Sequence, residues 1–248
     1  MKIHQGEHFK TIPDCILFDL DNTFYSYDFP HETALKAVAE KVSLNFSISD
    51  QDFQNAFKEG RDQIKETLNN TASSHSRLLY FQRMFEVLGL GSQVLSALDL
   101  EQTYWRTFLT NIKLFPNAKE LLEDIRLLGI PSAVITDLTA QIQFRKLIYL
   151  ELDHYFDYVV SSEEAGFDKP DSKIFELAIT KINPKGKNIW MIGDDAKKDI
   201  SGAKNTLNAV TMQKIHPSAS LGSSENTPDA SFKDFAELRN LLKKLTNP

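Results

Sequence analysis

Four short stretches of this chain bring acids, a hydroxyl and an amine to places where chemistry is expected. Asp19-Leu20-Asp21-Asn22-Thr23 sets two carboxylates two positions apart, directly after the apolar run Cys15-Ile16-Leu17-Phe18. Thr136-Asp137 follows a second apolar run, Lys169-Pro170 stands a few residues beyond a third, and Gly193-Asp194-Asp195-Ala196-Lys197-Lys198-Asp199 follows a fourth. Acids gathered at one point repel one another until a cation neutralises them, and hard carboxylate oxygens favour Mg²⁺.

Each piece also has a plain structural explanation. Asp and Thr are good helix caps, Gly-Asp-Asp suits a turn and an N-cap, and a single lysine is usually a solvated surface amine. What favours a site is their joint occurrence, in order, each at the end of a strand-like run.

The elements that must position them are short. Runs at 15–18, 132–135, 158–160, 189–192 and 209–212 are apolar and too brief for helices, so they read as buried strands. Helical patterns separate them, at 118–128 with Gly129 placed to end it, at 140–150, and at 172–182 after Pro170. Strands alternating with helices predict an α/β fold, a Rossmann-like parallel sheet with helices on both faces. In such sheets ligands bind outside the carboxyl ends of the strands, which is where all four stretches fall.

Residues 24–112 break the rhythm and read as an all-helical insertion, with helices at 31–46, 50–68, 77–88 and 92–112. The polar stretch 69–76 joins two of them as a loop with no apolar periodicity to satisfy, so it need not serve packing. Phe53, Phe57, Phe81, Phe85, Trp105 and Phe108 recur at helical spacing, as core residues do. Residues 216–228 read as a surface loop before a last helix at 232–245. The expected domains are a core of 1–24 with 113–248, and a helical domain of 25–112.

Composition narrows the function classes. The chain has 248 residues, 42% of them hydrophobic, and a net charge of −6. It has the make-up of an ordinary globular protein, and its acidic balance argues against a nucleic-acid polymer as partner, because a phosphate backbone calls for clustered Lys and Arg. A single small phosphate ester stays open, since one local cation overrides the global field. No window reaches the roughly 20 apolar residues of a membrane helix, and the first ten residues lack the apolar stretch of a secretory signal, so the cytoplasm is the expected compartment. Cys15, alone in the chain, reads as a small core hydrophobe.

Phe18-Asp19-Leu20-Asp21-Asn22-Thr23, Ile135-Thr136, Lys169-Pro170 and Ile192-Gly193-Asp194-Asp195 with Asp199 resemble the four ordered motifs of the haloacid dehalogenase-like (HAD) hydrolase superfamily. The helical insertion after the first motif resembles the cap of its C1 class. One departure is Asp137, where Asn or a neutral residue is more usual in that family. The resemblance implies a phosphatase in which Asp19 is the nucleophile and Asp21 the general acid and base. It implies Mg²⁺ on Asp19, the Asp21 carbonyl and Asp194, with Asp195 and Asp199 in or near the metal shell. Thr136, Lys169, Asn22 and Asp137 fall to phosphoryl binding. Candidates for choosing the leaving group are Asn70, Ser74, His75 and Arg77, with Tyr25 and Tyr27 beside the first motif. The implied substrate is a small phosphorylated metabolite, a nucleotide or a sugar phosphate. A phosphomutase of the same superfamily and a catalytically silent HAD scaffold that binds a ligand remain open alternatives.

Overall fold

The run Cys15–Phe18 forms a fully buried interior strand of a seven-stranded sheet in the computed structural model, which describes residues 1–217 and 219–246. In chain order the strands are β1 (Lys2–Ile3), β2 (Cys15–Phe18), β3 (Ser132–Thr136), β4 (Tyr158–Ser161), β5 (Ile189–Gly193), β6 (Val210–Lys214) and β7 (Ala230–Phe232). Their spatial order is β1-β7-β6-β5-β2-β3-β4. Neighbours are parallel except at the edge, where Lys2 and Ile3 pair antiparallel with Ser231 and Ala230. β1 and β7 were not expected, because two or three residues are too few to show alternation. The last helix therefore begins at Phe235 and not at residue 232, since Phe232 closes β7.

β2 lies between β3 and β5, with Phe18 level with Val134 on one side and Ile192 on the other. The chain moves outward from β2 through β3 to β4, then returns to the far side of β2 as β5. In open parallel sheets such a reversal is where ligands bind, outside the carboxyl ends of the strands. The two sheet faces are packed differently. Leu17, Ile135 and Met191 meet Ile174 and Phe175 of the helix Ser172–Ile182. Phe18 points the other way, its ring 5.4 Å from Phe24, which stacks on Phe235 of the helix Phe235–Thr246. Burial pushes the Cys15 thiol up to about 12, consistent with a packing role.

The chain divides into two units, Met1–Ser26 with Lys113–Pro248, and Tyr27–Ile112. Residues 218, 247 and 248 of the expected core segment 113–248 lie outside the described residues. The second unit contains α1 (Asp28–Phe46), α2 (Asp50–Leu68), α3 (Arg77–Val87) and α4 (Val94–Asn111). α1 starts three residues before the expected position because Pro30 falls in its first turn, where a missing N–H costs nothing. Ser49 and Ser76 cap α2 and α3 by accepting the N–H of Asp52 and Leu79. Phe57, Phe81, Tyr104, Trp105 and Phe108 pack in a chain of ring contacts 4.9–6.3 Å apart.

In the first unit the sheet is crossed by α5 (Ala118–Leu127), α6 (Ala140–Tyr149), α7 (Ser162–Ala165), α8 (Ser172–Ile182), α9 (Gly202–Leu207) and α10 (Phe235–Thr246). Among the described residues no helix is long and apolar enough to cross a membrane.

Candidate active site

Asp19 leaves β2 with its N–H donating to the Ile192 carbonyl at 2.9 Å, so its backbone still follows the sheet. Its carboxylate is buried. Lys169 Nζ donates to Asp19 Oδ1 at 2.6 Å, and the Thr23 hydroxyl donates to Oδ2 at 2.8 Å. The same Nζ reaches Asp199 Oδ1 at 2.7 Å and the Ile135 carbonyl at 3.2 Å. One buried ammonium thus joins the ends of β2 and β3 to the turn after β5.

Gly193 permits the approach of Asp199. A Cβ at position 193 would stand 2.3 Å from Asp199 Oδ2, so no side chain fits there. Asp199 Oδ2 in turn accepts the Asp195 N–H at 3.0 Å. Asp194 is held by two residues from β6 and the loop after it. Gln213 Nε2 donates to its carbonyl at 2.7 Å, and His216 Nε2 lies 3.1 Å from its Oδ2.

Asp21 turns toward α6. Lys146 Nζ donates to both its oxygens at 2.7 Å, Gln143 Nε2 stands 3.5 Å from Oδ2, and the Tyr25 hydroxyl donates to Oδ1. Gln143 also donates to Thr136 Oγ1 and the Asp137 carbonyl, each at 2.6 Å. None of Lys146, Gln143 or His216 was read from the sequence as a site residue. Ile142, Gln143, Lys146 and Leu147 form the buried stripe of α6, and a lysine and a glutamine inside that stripe were the available signal.

Several expected assignments change. The Asp137 side chain is engaged within the chain: its oxygens accept the Lys169 N–H at 2.9 Å and Lys198 Nζ at 2.7 Å. Asp195 is drawn away from the acids, because its Oδ1 caps the following turn by accepting the N–H of Lys197 and Lys198 at 2.8 Å. Tyr25 is fully buried beneath Asp21 and supports that carboxylate, which leaves no surface for choosing a leaving group. Asn22 takes φ 63°, a left-handed conformation that asparagine tolerates, at the turn between Asp21 and Thr23.

The remaining candidates lie in the helical unit. Stretch 69–76 does take part in packing: Ala72–His75 is a short 3₁₀ turn with Ala72 and Ser74 buried, and the Tyr80 hydroxyl donates to the Ser74 carbonyl at 2.5 Å. Arg77 is 9% exposed, donates to the His75 carbonyl at 2.7 Å and to the Tyr27 hydroxyl, and lies 5.2–5.3 Å from the ring centres of Tyr80, Tyr104 and Trp105. Asn70 is exposed and His75 half-buried.

Carboxylate oxygens of Asp19, Asp194 and Asp199 all lie within 4.8 Å of one another. Burial raises Asp19 to about 7 despite Lys169, with Asp199 and Asp21 adding repulsion. Burial likewise raises Asp199 to about 6 against the pull of Lys169, and it raises Asp194 against His216. Burial also acts to raise Asp21, but Lys146, Tyr25 and Gln143 outweigh it and hold the group below the usual carboxylate range. Lys169 is disfavoured by burial, yet the acids around it keep it charged. The set fits a hard divalent cation: the donors are carboxylate oxygens, one from each of three acids within 4.8 Å of one another.

Comparisons with known proteins agree with this arrangement of motifs. The family described as haloacid dehalogenase-like hydrolase matches residues 13–206. A ribulose-1,5-bisphosphate 5-phosphatase from Halopiger xanaduensis is 34% identical over 238 residues, covering 92% of this chain and 98% of the relative. A glyceraldehyde 3-phosphate phosphatase from Pyrococcus furiosus is 30% identical, covering 90% of this chain and 86% of the relative. In fold, the chain resembles a HAD phosphatase from Thermococcus onnurineus, with a TM-score of 0.69 at 22% identity and coverage of 92% and 97%. The strand-end acids, the buried lysine and this kinship lead to one conclusion: the chain belongs to the haloacid dehalogenase-like hydrolases, and within them to the phosphatases.

Proposed function

We propose that the chain is a Mg²⁺-dependent phosphatase that hydrolyses a small phosphomonoester of the sugar-phosphate class through an aspartyl-phosphate on Asp19. The observation that carries this reading is Asp19 itself, a buried carboxylate tied at once to Lys169 and Thr23 and set beside Asp194. Hydrogen bonds from both partners fix its direction, so its attack on phosphorus needs little reorganisation. The bond from phosphorus to the leaving oxygen breaks as the bond to Asp19 forms; Asp21, ionised beside Lys146 in the free protein, takes up a proton when the anionic substrate binds and gives it to the leaving oxygen. Asp21 then removes a proton from the water that attacks the aspartyl-phosphate, which returns Asp19 as a carboxylate.

Lys169 places positive charge against both Asp19 and the phosphoryl oxygens, and Thr136 offers its hydroxyl to them. Asp19, Asp194 and the Asp21 carbonyl would hold the metal, with Asp199 close behind. When bound, Mg²⁺ neutralises charge on the transferring group and screens the nucleophile from its anionic substrate. The helical unit, inserted directly after the first motif, serves in this reading as the cap that sets the substrate class. Relatives named for ribulose bisphosphate and glyceraldehyde 3-phosphate support a short phosphorylated sugar.

The test is phosphate release from a panel of sugar phosphates, nucleotides and aryl phosphates, by the wild type and Asp19→Asn. Stoichiometric phosphate from the wild type, loss of more than about 10³-fold in Asp19→Asn, and an acyl phosphate trapped by hydroxylamine are expected. An isomerised sugar phosphate with little phosphate released would replace the reading with mutase chemistry.

A further inference from the structure

Lys146 belongs to none of the strand-end motifs, yet only 1% of its surface is exposed and its Nζ is 2.7 Å from each oxygen of Asp21. A lysine is found at such depth only where a partner repays its desolvation. A contact to both oxygens restrains the direction of the carboxylate as well as its position. Gln143, three residues earlier on the same buried stripe, ties Asp21 to the end of β3 through Thr136 and the Asp137 carbonyl. The three groups its Nε2 meets include two that only accept, so the orientation of the amide is settled, and its buried Oε1 has no hydrogen-bond partner. Tyr25 completes the set from the side of β2.

We propose that Lys146, assisted by Gln143, is the positioning residue for Asp21: it fixes the conformer from which Asp21 serves the leaving oxygen, and touches neither the phosphoryl group nor the metal. This rests on the phosphatase reading above for the part played by Asp21. Asp21 lies in a turn beyond the sheet, where its backbone makes only an isolated bridge to Tyr25, and a backbone bridge does not fix the direction of a side chain. An acid or base group works only within about 2.6–3.2 Å of its proton partner, so a carboxylate free to rotate is absent from that place much of the time. α6 supplies the restraint that the turn lacks.

A merely structural ion pair and a positioning pair differ in what their loss does to different substrates. When the phosphorus–oxygen bond breaks, its electron pair goes to the leaving oxygen. An alkoxide must then receive the Asp21 proton, whereas 4-nitrophenolate is stable without it. Lys146→Gln is therefore expected to lower kcat/KM for glyceraldehyde 3-phosphate by at least about 30-fold and for 4-nitrophenyl phosphate by less than about 5-fold. In an Asp21→Asn background the same substitution should cost less than about 3-fold further, because its effect passes through the carboxylate. A crystal structure of Lys146→Gln should show the Asp21 side chain moved from its wild-type conformer.

Equal losses on both esters, or full additivity with Asp21→Asn, overturn the proposal. Should Lys146→Gln fail to fold, Gln143→Leu leaves the ion pair in place and is expected to show the same selectivity at about 5-fold; equal losses there overturn it as well. If the wild type releases phosphate from neither ester, the phosphatase reading is what fails. The two crystal structures then decide positioning alone, a displaced Asp21 supporting it and an unmoved one refuting it.

Discussion

The Asp137 carboxylate accepts the backbone N–H of Lys169 at 2.9 Å, so the residue that departs from the usual family pattern anchors the turn carrying the central ammonium. Its other oxygen meets Lys198, a partly exposed amine whose contribution to stability is small. Asp137→Asn keeps an acceptor for the Lys169 N–H, while Asp137→Ala removes it and leaves a buried turn without its anchor. Steady-state kinetics should show kcat/KM lowered by about 10- to 100-fold in Asp137→Ala and by less than about 5-fold in Asp137→Asn. Similar losses in both would place the effect on the charge and the Lys198 pair.

Metal binding should stabilise the protein in a pH-dependent way. Asp19 and Asp199 have folded values of about 7 and about 6, above the ordinary 3.8. Between about pH 4 and 7 the metal-free folded state therefore binds more protons than the unfolded chain, and its stability falls as pH rises through this window. A divalent cation requires the ionised acids and removes that penalty. Thermal unfolding with saturating Mg²⁺ should shift Tm upward by about 5 °C or more at pH 7.5 and by less than about 1 °C at pH 5, relative to chelator. A shift of equal size at both values would mean that the cation does not bind at these acids.

Local sequence was enough to place Asp19, Asp21 and Asp194 just past strand ends, because each follows a run whose apolar side chains already mark a strand, and Lys169 a few residues beyond a third run. It was not enough to find their supports. Lys146 and Gln143 reach Asp21 from α6, more than 120 positions later, and nothing near them in sequence announces an acid. The division of labour between Asp195 and Asp199 was hidden for a related reason. Which acid caps the turn and which faces Lys169 depends on how the backbone winds over Ala196–Ser201, a π-type turn that shifts the side chains relative to an ordinary helix. Arg77 and Ser74 look like loop polarity in sequence, yet both are buried once α3 and α4 pair, with carbonyls, hydroxyls and aromatic faces in place of water.

The pairing of α2 with α3 turns on Gly60. A Cβ there would lie 2.9 Å from the Met84 backbone N and 3.2 Å from the Tyr80 carbonyl oxygen, both parts of a helix backbone that cannot yield as a flexible side chain does. Alanine is otherwise the better helix former by about 1 kcal/mol, so helix propensity alone would make Gly60→Ala stabilising. Steric conflict should win, with net destabilisation of about 1–3 kcal/mol in chemical denaturation. A stabilised variant would show that the two helices separate at little cost.

His31 gives the helical unit a pH response of the opposite sign to that of the acids. Burial lowers its value to about 4, Arg77 and Arg61 add repulsion, and Asp28 opposes them weakly. Its Nδ1 stands 2.7 Å from the Tyr104 hydroxyl, and its ring lies 5.2 Å from Tyr27, so protonation would add a second cation beside the Arg77 guanidinium. The unfolded chain takes up this proton near pH 6.5 and the folded one only near 4. Stability contributed by neutral His31 is therefore complete above about pH 6.5 and is lost progressively as pH falls toward 4. His31→Gln retains a polar contact for Tyr104 and has nothing to titrate. Its stability relative to wild type should rise by at least about 1 kcal/mol between pH 7.5 and pH 4.5. Taking the difference between the two proteins cancels the acids around Asp19, which both share. A difference that stays constant with pH would show that His31 accepts its proton in the folded state as readily as in water, and that the Arg77 cluster tolerates the second charge.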